Sequence, residues 1–157
     1  MGLIYADVEL FNAFDLDRAY QNHISNDEVR TLRVENILVD TGAVMLTINE
    51  PMQAHLQCRV LGKRIVELAD GEQQECSIVG PIELRFKNRS SVCRAIVLPG
   101  DCEPLLGALP LEEMDVLIDP LKQRLIVHPL RPNQALIRIP SVRFPSLPAD
   151  AAGPSVL

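Results

Sequence analysis

The sequence predicts a mainly β domain, a small closed barrel with one or two short helices, and three observations lead there. Apolar and polar residues alternate with period 2 in several runs, as half-buried strands require. An Asp-Gly pair, Asp70-Gly71, divides two β-prone runs, and both residue types accept the positive φ of a tight hairpin. Twelve Pro and eight Gly, spread along 157 residues, interrupt any long helix or coiled coil.

The elements follow in order. Near the start, Ile4, Ala6, Val8 and Leu10 alternate with Asp7 and Glu9, which makes a strand with one buried face. Residues 12–27 are polar, with Asn22, Ser25, Asn26 and Asp27, and read as a loop. Residues 28–40 form a second strand ending in the fully apolar Ile37-Leu38-Val39. Asn49-Glu50-Pro51 supplies an N-cap, an acid and a first-turn Pro for a helix reaching about Gln57. Residues 63–69 and 73–79 are the arms of the Asp70-Gly71 hairpin. Residues 81–86 and 91–98 pair around a turn at Lys87-Asn88-Arg89. A second short helix is predicted to start at Pro110, with Glu112 and Glu113 suiting its dipole. Residues 116–118 and 124–127 give two more strands around Asp119-Pro120. Half of the prolines fall from Pro129 onward. The domain is therefore expected to span 1–130, with 131–157 a Pro-rich extension, partly disordered. Ile137-Arg138-Ile139 is a candidate edge strand, and residues 145–157 a loose tail.

Composition narrows the function. Hydrophobic residues at 47% and charged residues at 23% are globular values, which excludes wholesale disorder. A net charge of -6 argues against a nucleic-acid binder that works through a basic surface. No run approaches the ~18 apolar residues of a membrane helix, so no membrane partner is expected. The first residues show no basic start and no apolar core of a signal peptide, and Ala6 breaks the myristoylation pattern, so the expected location is cytoplasmic. Cys58, Cys76, Cys93 and Cys102 form no C-x-x-C pair and read as reduced, buried thiols. With His23, His55 and His128 they show no ligand spacing, so neither a metal nor another cofactor is expected.

The informative segment is Ile37-Leu38-Val39-Asp40-Thr41-Gly42-Ala43. A buried strand delivers the Asp40 carboxylate at its end. Gly42 lets backbone N–H groups approach that carboxylate, and the Thr41 hydroxyl can bond neighbouring backbone without acting as an acid. This arrangement suits acid–base activation of water. A turn-capping aspartate after a strand is the competing reading.

The chain from Leu3 to about Pro129 resembles the retropepsin-like aspartic proteases, the single-domain relatives of retroviral proteases, in their bacterial form. Three features carry the resemblance in order: Leu38 to Ala43, the hairpin tipped by Asp70-Gly71, and Leu105-Leu106-Gly107. Glu112 to Pro120 is similar to the helix and following strand of the bacterial members. The resemblance implies a closed barrel of the retroviral-protease type and an aspartic endopeptidase. Asp40 takes the place of the catalytic aspartate, Thr41 that of the threonine tying the two catalytic loops together, and Gly42 the glycine beside the carboxylate. Asp70 and Gly71 match the tip of the substrate-covering flap. Leu105, Leu106 and Gly107 match the brace of the catalytic loop, and Ala43 supports the site from beside the carboxylate. The segment 12–27 is longer than a minimal member of the family needs, and the Pro-rich extension has no counterpart.

A single Asp-Thr-Gly in a chain this short implies that a second carboxylate comes from elsewhere. Asp119 follows Val116-Leu117-Ile118, but Pro120 offers no N–H to it, so Asp119 reads as a turn opener. The other source is Asp40 of a second copy in a symmetric homodimer acting on a peptide or protein substrate. Two further readings stand beside it: a non-catalytic dimeric peptide-binding module, and phosphoryl transfer through an aspartyl phosphate, for which the chain lacks alternating helices.

Overall fold

The computed structural model describes residues 2–143 and 145. Of these, 45% lie in strands and 17% in helices, so the protein is mainly β. β1 (Ile4–Asn12) buries Ile4, Ala6, Val8 and Leu10, as the alternation predicts, and pairs antiparallel with β2 (Thr31–Val39). The remaining strands are β3 (Leu46–Asn49), β4 (Arg59–Glu67), β5 (Gln73–Phe86), β6 (Arg89–Leu98), β7 (Leu105–Leu106), β8 (Val116–Asp119) and β9 (Arg124–Val127). They form one nine-stranded sheet in the order β4-β5-β6-β3-β7-β2-β1-β9-β8. β5 also pairs with β1, from Glu9↔Arg85 to Asn12↔Ile82, so six strands run round in a ring. Leu10, Ile37, Leu46, Ile48, Leu84 and Leu106 are fully buried inside it. Each such side chain removed from water contributes about 2 kcal/mol, which makes this ring the main source of stability.

The structure corrects several local expectations. Residues 12–27 are not a plain loop: they hold α1 (Ala13–Tyr20) and a 3₁₀ turn at Asn26–Glu28. The side chain of Asn12 caps α1 by accepting the Asp15 N–H at 3.1 Å. The helix is anchored by an ion pair rather than an apolar stripe. Asp15, 1% exposed, receives Arg30 Nε at 2.7 Å and Nη2 at 2.8 Å. The segments 73–79 and 81–86 are one strand, β5, and the pairing with β6 slips between Val79 and Ile82, where the missing Pro81 N–H costs no ladder bond. α2 (Glu50–Leu56) has the predicted cap, Asn49 accepting the Met52 N–H at 3.0 Å. α3 (Ala108–Met114) starts two residues before Pro110, so Glu112 and Glu113 fall in its last turn and do not complement its dipole. Among the described residues there are three α-helices rather than one or two.

Residues 137–139 form no strand. Ile137 and Ile139 are exposed, and Pro140 and Pro132 on either side lack the N–H a ladder needs. The extension beyond residue 130 nevertheless begins by docking on the domain. Arg131 holds Asp115 through Nε at 2.6 Å and Nη2 at 3.0 Å, and Asn88 Nδ2 donates to Pro132 O at 2.8 Å. The expected loose tail, residues 145–157, lies outside the described residues apart from Pro145.

Candidate active site

β2 carries the chain into the interior and ends at Val39, so Asp40 stands half-buried where the strand gives way to a tight turn. The turn is organised around this carboxylate. Gly42 N–H donates to Asp40 Oδ1 at 2.9 Å, and Ala43 N–H donates to the Asp40 carbonyl at 3.2 Å. A Cβ at Gly42 would sit 3.2 Å from Oδ1, tighter than ordinary contact, so a larger residue here would press on the carboxylate.

The turn is held from behind by β7. This two-residue strand lies between β2 and β3, parallel to the first through Leu38↔Leu105 and Val39↔Leu106, antiparallel to the second through Thr47↔Leu105. Asp40 N–H donates to Leu106 O at 3.0 Å. After Gly107, the first N–H groups of α3 turn back onto the same loop: Ala108 donates to Ala43 O at 2.8 Å and Leu109 to Val44 O at 3.0 Å. The loop thus uses backbone donors that a helix start leaves without an intrahelical partner.

In front of Asp40 lies a cleft of about 680 Å³. Asp40, Gly42, Ala43, Val44, Met45 and Leu105 form one side, and residues 64–69 of the β4–β5 hairpin form the other. The hairpin closes with Gly71 N–H to Leu68 O at 2.9 Å and Leu68 N–H to Glu72 O at 2.8 Å, and Gly71 has φ +84°. Asp70 accepts the Glu72 N–H at 2.9 Å.

Of the residues singled out in the sequence, Asp40, Gly42, Ala43 and Leu105 meet at this cleft, with Leu106 and Gly107 buried behind it. Thr41 is exposed and turns away from the cleft, towards hollows shared with Leu3 on one side and Leu117 on the other. Asp70 and Gly71 lie beyond the lining residues, at the hairpin tip. Asp119 does not line the cleft: its Oδ1 accepts the N–H groups of Leu121 and Lys122, at 3.1 and 3.3 Å, and opens the β8–β9 turn. Sequence reasoning named only the hairpin tip and missed the arm that lines the cleft, the six consecutive residues 64–69.

The thiols offer no competing nucleophile at this cleft. Burial pushes the Cys93 thiol up to about 12, with Glu113 adding to the shift, and burial raises Cys58 to about 11. Among the described residues no three His, Cys, Asp or Glu side chains gather as a ligand set. No described helix is long and apolar enough to cross a membrane. No protein-family model matches the chain, and no curated protein matches it.

Proposed function

We propose that the protein is an aspartic endopeptidase of the retropepsin-like type, built as a barrel of that family and active as a homodimer. The observation that carries this reading is Asp40 itself: a half-buried carboxylate on a backbone-braced turn, facing a cleft whose other wall is a hairpin. The ring of six strands supports the barrel. The exposure of Thr41, Leu3 and Leu117 on the side of the turn away from the cleft supports a partner there.

In this reading a peptide lies extended between the Asp40 turn and the hairpin, held by main-chain hydrogen bonds, with apolar side chains against Val44, Val66 and Leu68. Two Asp40 carboxylates, one from each copy, share a proton, because like charges a few Å apart do not both ionise readily. The ionised member takes a proton from water as it attacks the scissile carbonyl, and the protonated member donates to the carbonyl oxygen. The amine leaves with a proton returned from the pair. Gly42 N–H, already on Oδ1, keeps the carboxylate aimed while its proton count changes.

Asp40→Asn is the deciding variant. The amide keeps the shape but neither takes up a proton nor shares one. Cleavage of an unstructured protein substrate at mildly acid pH is expected from the wild type. The variant should lose at least 1000-fold in rate with its fold unchanged, in line with the loss of an essential acid–base group. Cleavage by Asp40→Asn at the wild-type rate ends the proposal.

A further inference from the structure

We infer that the site reads an acidic side chain of its substrate, several residues from the bond cut, through the guanidinium of Arg64. The inference rests on the peptidase reading above. The cleft over Asp40 does not end at Val44 and Met45. A second groove, about 480 Å³, shares those two residues and Arg64 with it and continues past Arg94, Leu109 and Glu113. An extended chain advances about 3.3 Å per residue, so a substrate leaving the cleft on this side passes Arg64 within a few positions.

The pairing of the hairpin strands places Arg64. It stands opposite Cys76, and directly opposed residues of an antiparallel pair share a face. Cys76 is 4% exposed, so Arg64 lies on the inner face of the hairpin. Lys63, one residue earlier, lies on the outer face, 3.7 Å from Glu75. Among the described residues no ion pair involves Arg64 or Arg94. The groove therefore presents two guanidiniums against the one carboxylate of Glu113, in a chain whose net charge is -6. A guanidinium takes a carboxylate through two parallel N–H donors, a geometry that an amide or an ammonium on the substrate does not satisfy. In a two-fold dimer each copy brings its own groove, so the acidic positions lie symmetrically about the scissile bond.

The test uses the full chain and quenched fluorescent peptides that carry a single Glu, Gln or Lys, walked through the flanking positions. Glu is expected to exceed Lys at least tenfold in kcat/KM at one position on each side. Arg64→Gln should abolish the distinction between Glu and Gln, and Arg64→Glu should favour Lys. Equal cleavage of Glu and Lys peptides at every position overturns this inference and leaves the peptidase standing. If no peptide is cut, fluorescence anisotropy of the same peptides on the wild type separates the two ideas. Preferential binding of Glu peptides that Arg64→Glu reverses upholds the groove while the peptidase reading falls, and binding without preference overturns the groove as well.

Discussion

A methyl group added at Gly107 would lie 2.5 Å from the carbonyl oxygen of Met45 and 2.8 Å from its nitrogen, both backbone atoms that cannot swing aside. The φ of Gly107, -89°, suits any residue, so space alone reserves the position for glycine. Gly107→Ala is expected to push α3 off the Asp40 loop and lower stability by about 2 kcal/mol, measured by urea denaturation, with a larger proportional loss of cleavage. Asp15 gives a second prediction. Its hydrogen bond and ion pair with Arg30 hold its carboxyl below the ordinary 3.8 against the opposing effect of burial. Stability from this pair is present above the unfolded value and is lost as pH falls through the lower folded value. Asp15→Asn should cost about 2 kcal/mol at pH 7, and the difference from wild type should shrink in unfolding curves taken at successively lower pH below the ordinary 3.8. Asp40 was legible because three apolar residues before it announce a buried strand delivering a charge. Arg64 was not, because a cation in an alternating run looks like an outward residue until the register with Cys76 shows its face.

The β4–β5 hairpin was legible as an element for the reason its tip works: Asp70 closes the turn on the Glu72 N–H, and Gly71 takes φ +84°. A Cβ at Gly71 meets nothing within 4 Å, so the first effect of Gly71→Val is conformational strain at φ +84°. That strain, about 1–2 kcal/mol for an L residue in this region, falls on the tip alone. On the proposed reading, cleavage should drop several-fold while thermal unfolding of the domain stays within a few degrees. Unchanged cleavage removes the hairpin from the covering role. α1 escaped the sequence because its determinants are polar. A helix of eight residues fixed by an Asn12 cap and a buried Asp15 shows no apolar period to find. The start of α3 escaped for a related reason: Gly107 carries no capping side chain, and Pro110 drew the boundary two residues late.

At the scale of the whole molecule, one chain brings one Asp40 to one cleft, and Asp119 is committed to its turn. Specific activity should therefore fall as the protein is diluted, following the fraction of dimer in sedimentation measured over the same concentrations. A monomer with undiminished turnover per chain overturns the paired mechanism. A closed sheet was expected, but that β1 closes the ring on β5 was not legible, since alternation shows that a strand has a buried face but not which neighbour it takes. The insertion of β7 has a consequence for how the protein comes into being. Leu105 must slide between strands made much earlier in synthesis, and contacts so distant along the chain form slowly. A nascent or clipped polypeptide ending before residue 105 holds the Asp-Thr-Gly triplet with nothing behind it. On the proposed reading, a chain cut short of β7 carries the triplet without the brace and is expected to be inactive, so competence comes only with the finished fold.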